Sequence, residues 1–194
     1  MQNSIIENGK KVKADKLKGI VINFDKNSKN NIVEIGKNYK KRGTGLVINI
    51  KGQNHRVIIG DNCSLCGRFL LTGFDTSIKI GDGTTFQGCY LLARDESITI
   101  GKNCMFSREI EIRASDVHKV ISTQSGIRLN EARSVNIGDH VWIAAKCFIS
   151  KGAKIPNDSI VGACSFVNKE FYESNIIIAG SPAKVVKRNI NWER

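Results

Sequence analysis

The sequence is poor in proline, tryptophan, methionine and histidine, with two, two, two and three of each among 194 residues. With so little proline, turn-making falls to eighteen glycines and to Asn and Asp. No apolar stretch approaches the roughly twenty residues that cross a bilayer as a helix, so no membrane span is expected. The first thirty residues are polar and Lys-rich and lack the apolar segment of a secretion signal. A cytoplasmic protein is the expectation. The six cysteines offer only half of a metal or redox motif, Cys63-x-x-Cys66, with no second pair to complete it, so no metal is expected. Acid is scarce in one place. Residues 1–60 hold thirteen Lys/Arg against four Asp/Glu, and they carry most of the net charge of +12. An anionic partner would suit that surface, and so would plain solvation. Nucleic acid is disfavoured, because the same stretch has only Phe24 and Tyr39 as stacking platforms and no nucleic-acid motif.

What is present is a period of six. Ile59, Ile80, Ile100, Ile137 and Ile155 each open three six-residue units, giving Ile59/Leu65/Leu71, Ile80/Phe86/Leu92, Ile100/Phe106/Ile112, Ile137/Ile143/Ile149 and Ile155/Val161/Val167. This is neither a helix period nor a strand alternation. It fits a coil of three short sides, with the large residue pointing into a triangular prism. The fifth residue of each unit must also point inward and be small: Cys63, Thr84, Cys104, Cys147, Ala153, Ser159 and Ser165. Three of those cysteines thereby read as buried, reduced core residues. The second position, Gly60, Gly81, Gly101, Gly138 and Gly162, reads as a corner where glycine tolerates an unusual φ. The fold class predicted is all-β, a parallel β-helix.

Along the chain, residues 1–56 read as a basic lead-in, loose or briefly helical over residues 1–16, that passes into irregular first coils. Residues 57–182 carry the regular prism, and residues 183–194 a short basic helix capping its open end. Twenty-five positions separate Ile112 from Ile137 where an unbroken coil needs six. About nineteen residues, within 114–134, must leave the prism as a loop. Insertions in repeat proteins often form the binding face. His118 stands at the start of this one, and imidazole is the common general base near neutral pH. His55 lies in a polar turn and reads as surface, and His140 as an outward side chain. Trp142 points outward too, which suits a groove between subunits better than a core. The strings Ile80-Gly81-Asp82-Gly83 and Ile100-Gly101-Lys102 lack the following helix of a phosphate loop and are explained as corners.

Taken together, four segments resemble the hexapeptide-repeat acetyltransferases, left-handed parallel β-helix enzymes that use acetyl-CoA. They are Ser115-Asp116-Val117-His118, Val135 through Ala144, Ile160 through Lys169, and Ala179-Gly180-Ser181-Pro182-Ala183-Lys184. The match covers roughly residues 57–190. The repeats are most similar to the galactoside, maltose and xenobiotic branch. The basic first coils and the tail Asn189-Ile190-Asn191-Trp192 look more like the capsule and lipopolysaccharide O-acetyltransferases, which include the polysialic acid enzymes.

The resemblance implies His118 as catalytic base and Trp142 as the aromatic beside the transferred acetyl group. It implies Ala145 and Ala163 along the pantetheine arm of CoA, and Lys169, Lys184 and Lys187 near its phosphates. Asn168 replaces the family's Thr before Lys169, and lysines stand where relatives use Arg, so charge is kept without the bidentate fork. Asp95 and Glu96 align with an acidic turn that holds sugar hydroxyls in the small-sugar branch, but Gly88 replaces that branch's Asn. An acidic polysaccharide such as polysialic acid is therefore the expected acceptor, contacted by Lys37, Lys40, Lys41 and Arg42. The resemblance also implies a homotrimer with sites between subunits. The rival readings are an acetyltransferase for a small sugar or xenobiotic, a noncatalytic β-helix scaffold, and a γ-class carbonic anhydrase. The last needs three zinc histidines in a paired pattern that His55, His118 and His140 do not form.

Overall fold

A computed structural model describes residues 2–194. The chain winds as a parallel β-helix of three-sided coils. Side one is an eight-stranded sheet whose parallel members include Ser4–Glu7, Ile32–Ile35, Arg56–Ile59, Ser77–Ile80, Ile98–Ile100, Val135–Ile137 and Lys154–Ile155. Side two carries Thr85–Phe86, Met105–Phe106, Trp142–Ile143, Ile160–Val161 and Ile177–Gly180. Side three carries Ile20–Phe24, Cys89–Arg94, Ile110–Arg113, Phe148–Ile149 and Phe166–Val167. The long strands Lys40–Gln53 and Ser64–Phe74 run from side two onto side three without a break, which fuses both stacks into one thirteen-stranded sheet.

Each inward column is apolar. Ile59, Ile80, Ile100, Ile137 and Ile155 are at most 3% exposed. The rings of Phe86 and Phe106 stack at 4.7 Å, with Phe69 edge-on to Phe86 at 6.3 Å. The small residues of the fifth position are all buried. Their thiols reach across the corner: the Sγ of Cys63, Cys104 and Cys147 donate to the carbonyls of Gly81, Gly138 and Gly162 at 3.3, 3.2 and 3.1 Å. Burial pushes the Cys63 and Cys104 thiols up to about 11, which keeps them protonated and unreactive at neutral pH.

Five expectations change. The corner glycines do not have left-handed φ; they are glycine because the next coil lies against them. A Cβ on Gly60 would sit 2.4 Å from Asp82 Oδ1 and 2.7 Å from Asp82 N. The left-handed residues come two positions later: Asn62, Gly83, Asn103, His140 and Cys164, with φ from 53° to 69°. Asn and Asp tolerate that region because their short side chains bond locally. Second, Leu92 is not the inward residue of its unit. Leu91 pairs with Phe69 and Ile112 in the core column, and Ala93 with Leu71, because side three is longer in the early coils. Third, the first sixteen residues are not a helical lead-in. Ser4–Glu7 is already a strand of side one, and only Ala14–Lys16 makes a 3-10 turn. Fourth, residues 183–194 form no helix. Ala183–Lys187 turns back antiparallel onto Ile177–Gly180, and the tail beyond it has no regular secondary structure. Fifth, His55 is buried. Its Nδ1 bonds Thr76 Oγ1 at 2.8 Å and its Nε2 meets the Lys51 carbonyl at 3.2 Å, and desolvation lowers its pKa. A polar turn in a β-helix is stacked on by the turns above and below, so local polarity misjudges its burial.

Candidate active site

The three corners of the prism divide the candidate residues. The third corner, between sides three and one, carries the excursion. Its base is closed by Arg133 N–H donating to the Ala114 carbonyl at 3.0 Å. Beyond it the chain forms a hairpin-like arm: Leu129 N–H bonds the Val120 carbonyl at 2.8 Å, Ser122 N–H bonds the Ile127 carbonyl at 2.9 Å, and Ile121 bridges Arg128. His118 lies at the root of this arm, exposed. Its N–H donates to the Asp116 carbonyl at 2.8 Å across Val117, whose φ is 70°. A β-branched residue in the left-handed region of a γ-turn is strained by about 1–3 kcal/mol. The surroundings hold it there. Asn130 Nδ2 donates to both the Asp116 carboxylate, at 2.8 Å, and the His118 carbonyl, at 2.9 Å, while Asn130 Oδ1 accepts from Val120 N–H at 2.7 Å. Lys151, from the next coil, forms an ion pair with Asp116. The Lys151 hydrogen bond, helped by Asn130, holds the Asp116 carboxyl below its usual range despite partial burial.

The same corner gathers other candidates. Asp95 and Glu96 form its turn one coil earlier; Asp95 is exposed with φ 63°, and Glu96 accepts a hydrogen bond from Ser134 Oγ at the foot of the arm. Lys169 belongs to it two coils later, exposed, with its ammonium 5.3 Å from the Phe171 ring centroid. Ala145 and Ala163 lie instead at the second corner, in adjacent coils joined by Cys164 N–H to the Ala145 carbonyl at 3.0 Å. Lys184 and Lys187 project from the closing strand, both exposed. Trp142 is half-buried on side two, across the triangular section from the His118 corner. One chain therefore does not bring the whole predicted set together. His118, Asp95, Glu96 and Lys169 share an edge; Trp142, Ala145, Ala163, Lys184 and Lys187 lie on or beside side two.

The basic first coils are an unneutralised surface. Lys37, Lys40 and Lys41 are exposed and Arg42 half-buried. Among the described residues every ion pair involves residues from 82 onward, so none of the thirteen early cations is paired. A cavity of about 710 Å³ opens at the second corner beside Thr44, Cys66, Arg68, Tyr90 and Glu111. No cluster of three metal-ligating side chains occurs, and no helix is long and apolar enough to cross a membrane, among the described residues. Sequence reasoning missed Asn130 and Lys151. Neither carries a motif, and their role appears only when the arm folds back on itself.

No protein-family model matches the chain. It is 40% identical over 166 residues to a polysialic acid O-acetyltransferase of Neisseria meningitidis, covering 85% of this chain and 76% of that protein. It is 33% identical over 120 residues to the enzyme of the same description from Escherichia coli, covering 61% of this chain and 39% of that longer protein. Among solved structures, the polySia-specific acetyltransferase NeuO superposes with a TM-score of 0.87 at 30% identity, over 99% of this chain and 85% of that one. The polysialic acid O-acetyltransferase OatWY superposes with a TM-score of 0.74 at 33% identity, over 100% and 92%. The protein belongs to the hexapeptide-repeat O-acetyltransferase family in which these enzymes fall, and its β-helix is the left-handed one.

Proposed function

We propose that this O-acetyltransferase moves the acetyl group of acetyl-CoA onto a hydroxyl of an acidic bacterial surface polysaccharide, with polysialic acid the leading acceptor. The observation that carries the acceptor is the unpaired positive surface of the first coils, joined to the 40% identity with a polysialic acid enzyme. A polymer with one carboxylate per sugar meets several lysines at once, and such contacts weaken steeply with salt because screening acts over about 8 Å at physiological ionic strength.

In the proposed reaction the His118 imidazole takes the proton from the sugar hydroxyl as its oxygen attacks the thioester carbonyl. The tetrahedral oxyanion is met by a backbone N–H. The C–S bond then breaks, and the imidazolium returns the proton to the CoA sulfur. No protein nucleophile is required. The cysteines nearest the prism axis are buried with raised pKa, which removes them as acyl carriers.

The active unit is proposed to be a homotrimer. Two features favour association. Trp142 and His118 occupy opposite parts of one prism and can meet only across an interface. The arm also exposes Val120, Ile121, Ile127 and Leu129, an apolar patch more economically covered by a second copy. In that assembly His118 of one chain faces the Trp142, Ala145 and Ala163 edge of its neighbour, with Lys169, Lys184 and Lys187 near the CoA phosphates.

The test is acetyl transfer to long and short acidic glycans and to neutral sugars, at low and high salt. Efficient acetylation of acidic polymer that falls with salt is the expected result. Neutral sugars acetylated as well as the polymer, or salt-independent affinity, would return the basic coils to a solvated surface.

A further inference from the structure

The last seven residues run back down the first corner, between sides one and two, as a strap, and their contacts recur every second residue. Ile190 N–H donates to the Asn175 carbonyl at 3.1 Å, and Asn175 Nδ2 bonds the Ile190 carbonyl in return. Trp192 Nε1 donates to the His140 carbonyl at 2.9 Å. Arg194 donates to the carbonyls of Cys104 at 3.1 Å and Gly83 at 3.5 Å. Asn175, His140 and Gly83 are all left-handed corner residues. Successive coils stack about 4.8 Å apart, so a strap of this length ties together several coils that are far apart in sequence.

Trp192 lies outside the prism yet is only 6% exposed. Its indole stacks on the His140 ring at 4.2 Å and 11°, and tilts against Trp142 at 6.2 Å and 47°. His140 is fixed from behind by Nδ1 to Asp158 Oδ1 at 2.9 Å. An outward Trp on the face of a sheet, paired here between Met105 and Ile160, still has rotamer freedom in its side chain. A braced indole on one flank removes part of that freedom.

We propose that Trp192 is a positioning residue of the acetyl-transfer site: the C-terminal strap sets the orientation of Trp142. The inference rests on the reading that Trp142 lines that site. It assigns the tail a part in turnover beyond closing the end of the solenoid. A terminal segment with no such part tends to fray, whereas this one is tied at three levels.

The chain has only two tryptophans, which makes the contact observable. Indoles 6.2 Å apart couple excitonically, so the native protein should show a paired far-ultraviolet circular dichroism signal that disappears in W142F and in W192F. Kinetics are then measured for W192A, W192F, R194A and W142A with acetyl-CoA and the polymer acceptor. W192A is expected to lower kcat by about tenfold or more, a size typical of a slightly misplaced site group. Acetyl-CoA affinity should stay within about twofold. W192F should recover most of the rate because the stack persists, and R194A should fall between. Wild-type kcat in W192A beside an impaired W142A would overturn the proposal and leave the strap a structural tie. Wild-type kcat in W142A would instead remove Trp142 from the transfer site, and the inference with it. Should W192A fail to fold, R194A and W192F decide: loss of kcat in R194A with rescue in W192F supports the role, and unchanged kcat in both overturns it.

Discussion

Asn130 offers a sharp test of how the arm places the base. Its side chain makes three hydrogen bonds: to the Asp116 carboxylate at 2.8 Å, to the His118 carbonyl at 2.9 Å and from Val120 N–H at 2.7 Å. Asn130→Ala removes all three without touching the imidazole. Bonds of this kind contribute about 0.5–1.5 kcal/mol each, and partial exposure argues for the lower half of that range. The closed arm should lose about 2 kcal/mol, roughly thirtyfold in its opening equilibrium. The strain at Val117, φ 70°, acts in the same direction, because a freed γ-turn relaxes toward an ordinary backbone. The expected result is a drop of about tenfold in kcat/KM. The melting temperature should move by no more than about 2 °C, since the arm lies outside the apolar prism. Hydrogen exchange at the Leu129 and Ser122 amides, which bond across the arm, reports its opening directly. If those amides exchange about thirtyfold faster while kcat/KM is unchanged, the arm does not position His118 and the argument fails.

The other expectations are simpler. His118→Ala should lower kcat by at least about a hundredfold, the low end for a general base, with acetyl-CoA affinity unaltered; near-normal turnover would remove His118 from the mechanism. Replacing Lys169 and Lys184 by Ala should weaken CoA more than dephospho-CoA, and equal losses would mean that neither lysine meets the 3′-phosphate. Light scattering should give a multiple of three times 21.4 kDa, whereas an active monomer would contradict a site between subunits. Acidification should destabilise the fold through His55. Its folded pKa is depressed by burial, so its contribution is complete above the unfolded value near 6.5 and is lost as pH falls toward the folded one. Unfolding midpoints between pH 7 and 5 should therefore decline, and the decline should be shallower in His55→Gln.

Most of the prism was legible because its rule is local and repeats. A large residue every sixth position and a small one at the fifth are packing demands that each coil meets alone, and Ile59, Cys63, Ile80 and Thr84 satisfy them as read. The length of the excursion followed from arithmetic on the same period. Where the reading failed, the cause was a contact between coils. Glycine at 60 answers to Asp82 twenty-two positions away, not to its own φ. His55 looked like surface because its neighbours in sequence are polar, while the residues that bury it, such as Thr76, belong to the next coil. The C-terminal segment read as a helix because its charge and length suit one. It is held instead as a strand and strap by an open sheet edge at Ile177–Gly180 and by corner carbonyls that no local pattern announces.

The candidate site divides on the same line. His118 stands out as a candidate because leaving the period marks it, and Trp142 because an outward tryptophan violates it. Asn130, Lys151 and Trp192 obey no period and break none, so their parts emerge only once the arm and the strap have folded back. The division has a chemical consequence. The residues visible in sequence are those expected to touch substrate, and the residues visible only in three dimensions are those proposed to hold them still. For the proposed acyl transfer, with one base and no covalent intermediate, rate depends strongly on how well that base and the facing wall are fixed. Chains that share His118 and Trp142 but differ at Asn130 or in the strap should then share the reaction and differ in its rate.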